Sequence, residues 1–260
     1  MRRHKRVQGC IGYALLALAA CAPAIAANDY HGAPPAASVA GKGAALTTVC
    51  AACHGSRGMS VSAQYPNLAG QQYNYILKQL EDFRDGKRSN AIMSGMAMTI
   101  PPSAHDADLV AVAAYFASQP LMLHAAVGIP SAELKLGKSI YDHGLQNVSI
   151  PACSACHGLA AEGNGPMAVP ALAQQHRAYV LAQLQAFASG TRDNSPGHVM
   201  RLIARRLDAV QQQALAAYVR QIIPATVLGI GPKTFSTYAS QQGIRLPDAK
   251  TAEHGDGHHE

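Results

Sequence analysis

Cys50-Ala51-Ala52-Cys53-His54 and Cys153-Ser154-Ala155-Cys156-His157 are two copies of one pattern, Cys-x-x-Cys-His, in a chain of 260 residues. The pattern reads as a covalent attachment site for a c-type haem. Two thiols add across the haem vinyl groups, and the adjacent imidazole lands under the iron as its proximal ligand. A zinc ribbon would place its second Cys pair roughly 15–20 residues after the first, not about a hundred. A redox dithiol would need the strand and helix of a βαβ unit around it, and no strand-like run flanks either motif. Two haem c groups per chain are therefore expected, and the function turns on what the second face of each iron sees.

Aligning Cys50 with Cys153 brings the rest of the chain into register as a tandem repeat. Tyr65-Pro66-Asn67-Leu68-Ala69 matches Val169-Pro170-Ala171-Leu172-Ala173, and Tyr75-Ile76-Leu77-Lys78-Gln79-Leu80 matches Tyr179-Val180-Leu181-Ala182-Gln183-Leu184. Phe83 matches Phe187, Gly86-Lys87-Arg88-Ser89-Asn90 matches Gly190-Thr191-Arg192-Asp193-Asn194, and Ala113-Ala114-Tyr115-Phe116 matches Ala216-Ala217-Tyr218-Val219. Gly70 stands where the second copy has Gln174, which leads us to expect a different turn there.

Each copy reads as helical, so the fold class is all-α. Tyr73, Ile76, Leu77, Leu80 and Phe83 recur at three- and four-residue steps along one helix face, and Gly86 ends that helix. A second helix is predicted from about Asp106 to Ser118. Helices before the motifs are predicted over Val39 to Val49 and Ala132 to Tyr141. The expected organisation is a first domain over 38–119, a linker over 120–130 rich in Pro and Gly, a second domain over 131–223, and a mobile tail over 224–260.

Residues 1–27 read as a secretory signal peptide: Arg2, Arg3, Lys5 and Arg6 precede an apolar run from Ile11 to Ala20, followed by small residues. That run is shorter than the ~20 residues of a membrane span. Leu18-Ala19-Ala20-Cys21 also fits a lipobox, so ordinary cleavage near Ala26 or Ala27 and a lipidated Cys21 both stand. Of six Cys, two lie in the leader and four in the motifs, which leaves no pair for a disulfide. The formal charge of +6 contains four positive residues of the leader and no acid before Asp29. The remainder is near neutral and gives no support to a nucleic-acid partner. With four Phe, ten Tyr and no Trp, two domains of ~90 residues have thin cores without a buried porphyrin in each. The apoprotein is accordingly expected to be largely unfolded.

The repeat also selects the sixth ligands. Met93 lies seven residues before Ile100, and Met200 lies seven before Leu207. Both follow the matched Gly-x-Arg-x-Asn segment, in what reads as a loop between helices. A thioether there closes the iron and raises its potential. Met96 and Met98 lie within reach of the first position, whereas Met122 and Met167 have no such support. A backbone carbonyl near Pro66, 12 residues after His54, and near Pro170, 13 after His157, would orient each imidazole. Arg88 and Arg192 are candidates to pair with haem propionates, and Gln79 and Gln183 share their neighbourhood. His105, His124, His143, His176 and His198 have no matching His and read as surface or loop residues.

With these residues in view, the chain resembles the diheme cytochrome c4 family over about Val39 to Ile222. The most specific parts are Tyr65-Pro66-Asn67-Leu68-Ala69-Gly70-Gln71, Leu77-Lys78-Gln79-Leu80, Gly86-Lys87-Arg88 and Ile150-Pro151-Ala152-Cys153. The resemblance implies two tandem class I cytochrome c domains about a pseudo-twofold axis, with propionates facing across the interface. It implies ligation by His54 and Met93 in one domain and by His157 and Met200 in the other. It further implies periplasmic electron transfer from a quinol-oxidising complex or a dehydrogenase to a terminal oxidase, with membrane contact only by docking or a Cys21 anchor. Pro101-Pro102-Ser103-Ala104 looks like an insertion beyond this pattern. The expected function is an electron carrier with no substrate of its own. Its rivals are a haem subunit of a larger oxidase or dehydrogenase complex, and a diheme peroxidase or sulfur-compound oxidase with one open iron.

Overall fold

Apolar residues spaced three and four apart give each half of the molecule two long helices that cross and a third that faces the other half. The structure, a computed structural model, describes residues 35–100, 105–123 and 128–224. The expectations for the leader, Cys21, His124, Pro101 to Ala104 and the tail beyond Pro224 lie outside these residues. In the first domain α1 is Ala37–Leu46, α2 Ala51–His54, α3 Tyr73–Arg84, α4 Ala91–Met98 and α5 His105–Ser118. In the second, α6 is Ser131–His143, α7 Ser154–His157, α8 Arg177–Ser189, α9 Val199–Ala204 and α10 Ala209–Gln221. Among the described residues there is no β-strand, only the isolated bridges Leu145–Ile150 and Asn164–Val169. No described helix is long and apolar enough to cross a membrane.

Helix crossing depends on a missing side chain in both halves. A Cβ on Gly43 of α1 would stand 2.1 Å from the Ala111 carbonyl oxygen of α5, and one on Gly137 of α6 would stand 2.1 Å from that of Ala214 of α10. Backbone meets backbone at these points, which only glycine permits. Around the first crossing, Tyr73, Ile76, Val112, Ala113 and Phe116 form the buried core. Ile140, Tyr141, Leu215, Ala216 and Val219 do so around the second. Each large apolar side chain buried this way contributes about 2 kcal/mol.

Two local comparisons refine the repeat. Gln174 adopts a left-handed φ of 58°, beside 65° at Gly70. The Gly70 and Gln174 N–H groups donate to the Phe116 and Val219 carbonyls, each at 3.1 Å. The two turns are therefore the same, contrary to expectation, and the Gln174 side chain secures its turn by donating to the Ile222 carbonyl at 2.9 Å. The second domain also inserts residues 144–152 between α6 and its motif, where Leu145 and Ile150 exchange N–H···O bonds at 2.8 and 3.0 Å. Under them Tyr141 is fully buried and donates to the Gly158 carbonyl at 2.7 Å.

The halves meet through reciprocal contacts between matched residues. The Gln71 side chain donates to the Ala171 carbonyl at 2.9 Å and accepts from the Ala171 N–H at 2.7 Å. The Gln175 side chain donates to the Asn67 carbonyl at 3.0 Å and accepts from the Asn67 N–H at 2.9 Å. Gln71 matches Gln175 and Asn67 matches Ala171, so the two clamps are related by a pseudo-twofold axis.

Candidate haem sites and the interface between them

Each motif folds as a single helical turn, which puts two thiols and one imidazole at the same end of it. His54 and His157 close α2 and α7 and are buried. The Nδ1 of His54 lies 2.9 Å from the Pro66 carbonyl oxygen, and that of His157 lies 2.9 Å from that of Pro170. A carbonyl only accepts, so Nδ1 carries the proton in both rings and Nε2 keeps its lone pair. Burial holds both imidazoles below the ordinary histidine value, against the opposing pull of these bonds.

The four motif cysteines form no disulfide, and Cys50, Cys53 and Cys153 are half-buried while Cys156 is exposed. Burial raises the Cys50 thiol and pushes Cys153 up to about 12. A reactive redox dithiol needs a lowered value instead. One neutral, carbonyl-oriented imidazole beside two unpaired thiols fits the donor set of a covalent haem. A separate cleft of about 840 Å³, lined by Met59, Val61, Met122, His176, Arg177 and Arg220 among others, contains none of these groups.

Met93 and Met200 stand in the first turns of α4 and α9, not in loops. Both are half-buried, and their N–H groups are capped by side chains, Met93 by Asn90 Oδ1 at 3.0 Å and Met200 by Ser195 Oγ at 3.1 Å. Asn90 is the N-cap of α4, as asparagine commonly is, whereas Ser195 reaches α9 from before the 3-10 turn over Pro196–His198. Met98, Met122 and Met167 are 69%, 51% and 60% exposed, whereas Met96, like Met93 and Met200, is half-buried.

Arg88 and Arg192 occupy the centre of the interface, and protein groups engage their guanidinium N–H groups. Arg88 donates to Gln79 and Gln183, both at 2.8 Å, and to the Tyr179 hydroxyl at 3.2 Å. Arg192 donates to Gln183 at 2.8 Å, Gln79 at 2.9 Å and the Tyr75 hydroxyl at 3.0 Å. Each guanidinium lies over its own phenylalanine, Phe83 at 4.5 Å and Phe187 at 4.4 Å. Burial alone would raise the Tyr75 phenol, but Arg192 and Arg88 outweigh it and hold Tyr75 below its ordinary value.

The sequence reading missed Gln71, Gln175, Tyr75 and Tyr179 as interface groups, although all are matched between copies. His176 does lie in a loop, directly before α8, but not on the surface: it is buried and donates from Nε2 to the Ser60 carbonyl at 3.0 Å across the interface. His143 and His198 are exposed.

Two helical domains related by a pseudo-twofold axis, each presenting this thiol and imidazole set, define a tandem c-type cytochrome. The cytochrome c family profile matches residues 38–120 and 134–222. Cytochrome c4 of Pseudomonas aeruginosa is 37% identical over 187 residues, covering 71% of this chain and 89% of its own. A thiosulfate dehydrogenase electron acceptor of Stutzerimonas stutzeri is 40% identical over 174 residues, covering 66% and 78%. The crystal structure of reduced recombinant cytochrome c4 from Pseudomonas stutzeri superposes with a TM-score of 0.66 at 34% identity, over 71% of this chain and 98% of that one. The chain belongs to the cytochrome c family, as a two-domain protein of the diheme cytochrome c4 type. It carries two covalent haem c groups and is an electron carrier that works with redox protein partners.

Proposed function

We propose that the protein shuttles electrons in the periplasm between a quinol-oxidising complex or a dehydrogenase and a terminal oxidase. Cys50 and Cys53 carry one haem, and Cys153 and Cys156 the other. His54 and Met93 ligate the first iron, His157 and Met200 the second. Pro66 and Pro170 orient the imidazoles. Arg88 and Arg192 bring positive charge to the interface, where haem propionates would meet. Each haem, when bound, takes up and releases one electron.

The observation that carries this reading is that each domain places one half-buried methionine, Met93 and Met200, in the first turn of the short helix after its matched Gly-x-Arg-x-Asn segment, with its N–H held by a side chain. A closed iron with two strong ligands transfers electrons and binds no substrate. Export by the leader, with or without a lipid on Cys21, belongs to the same reading. The similarity to a thiosulfate dehydrogenase electron acceptor favours a sulfur-compound dehydrogenase as one donor.

The test is the carbon monoxide difference spectrum of the reduced protein, scaled to haem per chain. Two haems without carbon monoxide binding are expected. Binding at one iron in the unaltered protein would replace the carrier reading with that of an enzyme.

A further inference from the structure

The pseudo-twofold interface has one departure, and it touches the loop that leads to Met200. Lys78 and Asp82, one turn apart on α3, form a buried ion pair with side chains 10% and 2% exposed. The matched positions on α8 are Ala182 and Ala186, so the second domain cannot return the contact. Both members of the pair reach across to Asn194. The Lys78 ammonium donates to the Asn194 carbonyl at 2.8 Å, and the Asn194 amide donates to Asp82 Oδ2 at 2.7 Å and to Gln79 at 2.9 Å. The remaining amide oxygen of Asn194 accepts from Arg192 at 2.9 Å.

The matched Asn90 behaves differently. It is exposed, and its side chain caps α4 locally through the Ile92 and Met93 N–H groups at 3.1 and 3.0 Å. Only two residues separate Asn90 from Met93, whereas five separate Asn194 from Met200. The longer connection includes a 3-10 turn over Pro196–His198, with Gly197 and His198 both at positive φ. Such a connection has more freedom to lose when it is ordered. Its last cap, Ser195 Oγ to the Met200 N–H, is offered by the residue directly after Asn194. Fixing Asn194 therefore fixes the start of α9.

We propose that Lys78 and Asp82 of the first domain are positioning residues for the distal ligand of the second haem, acting through Asn194 on Met200. Asp193 ties the same segment to α9 from within the second domain, through His198 at 2.9 Å and Arg201 at 2.8 Å. Docking of the first domain adds the grip on Asn194 that completes closure of the second iron, while the first domain closes its own iron through Asn90. This rests on the ligand reading of Met200 given above. A buried ion pair contributes little net stability, so its burial serves specificity instead. Here the specificity lies in which loop the pair grips.

The experiment measures imidazole binding to the two oxidised irons, together with the methionine methyl resonances of the reduced protein. The full two-haem protein is used throughout. Met93→Ala and Met200→Ala assign each signal to its domain. The double variant Lys78→Met, Asp82→Leu removes both charges and both hydrogen-bonding groups that grip Asn194. It is expected to raise imidazole affinity at the second iron about tenfold, a loss of roughly one decade in closure, and to shift or broaden only the Met200 methyl signal. Asn194→Ala, which leaves the ion pair in place, is expected to do the same and serves if the double variant does not fold. Equal change at both irons, or none at either, overturns the proposal while Met200→Ala still opens the second iron. If Met200→Ala leaves the second iron closed, the ligand reading itself falls, and this inference with it.

Discussion

The two domains share one plan but secure it by different means. In the first, Asn90 caps the helix that carries Met93 from within the same loop. In the second, the matched Asn194 is held by Lys78, Asp82 and Gln79 of its neighbour. The first domain has Cys50 soon after α1, while the second inserts a bridged segment over a buried Tyr141. Duplication thus preserved what the cofactor demands and left the surroundings free to specialise. The contacts that match within hydrogen-bond error are those of helix crossing, imidazole orientation and the interface clamps.

The strongest challenge to this likeness is at the helix crossings. Gly43→Ala and Gly137→Ala each place a methyl 2.1 Å from a carbonyl oxygen, so α1 or α6 must move away. Overpacking of this kind costs about 3 kcal/mol and sometimes more. Denaturant unfolding followed at each haem should show the loss confined to the altered domain and of similar size in both. A small loss in one domain would mean that its helices cross less tightly than the geometry states.

Next in size are the interface clamps. Gln71→Ala strips both partners from the Ala171 backbone, and Gln175→Ala does the same to Asn67. Leaving buried peptide groups unpaired costs about 2 kcal/mol. Hydrogen exchange at the Ala171 and Asn67 amides should accelerate in the corresponding variant and not in the other. Acceleration of both by either variant would mean the halves separate as one cooperative step. A smaller effect is expected from Gly70→Ala, about 1 kcal/mol of backbone strain at positive φ, because its Cβ meets nothing closer than 3.4 Å. Melting temperature reads this directly, and a loss of several kcal/mol would point to a collision instead.

Much of this was legible in the chain. The motifs, the repeat and the faces of α3 and α5 follow from spacing alone, since a helix buries one side. What stayed hidden was whatever depends on how the copies face each other. Gln71 and Gln175 are ordinary glutamines until a twofold axis brings each to the other's backbone. Lys78 and Asp82 are visible in the sequence only as places where the copies differ. Gln174 seemed to forbid the turn made by Gly70, yet local hydrogen bonds hold a side-chain-bearing residue at the same φ. His176 lacks a matching histidine and reads as a surface or loop residue; it does lie in a loop, but is buried there, and its matched position, Gln72, likewise reaches a carbonyl of the other domain. Gln72 donates to the Glu162 carbonyl at 2.6 Å, as His176 does to Ser60.

That last pair gives the finest test of the comparison, because glutamine does not titrate and histidine does. Burial is the main cause holding His176 below its ordinary value; Arg220 adds to it, and the bond to Ser60 opposes it. The unfolded chain therefore binds a proton at this site more readily than the folded one. The resulting stability is fully present above the unfolded value, about 6.5, and is lost as pH falls from there through the folded value. Acid should make the burial of the His176 ring unfavourable while its Nε2–H still donates to Ser60, whereas the Gln72 contact is indifferent to pH. His176→Gln makes the two contacts alike. At neutral pH the change should be small, about 1 kcal/mol or less, because glutamine can keep the hydrogen bond to Ser60. Below pH 6 the variant should melt above the unaltered protein, with the difference growing as pH falls. Parallel melting curves from pH 7.5 to pH 5 would show that His176 takes up its proton without disturbing the interface, and the two contacts would then be equivalent in energy as well as in place.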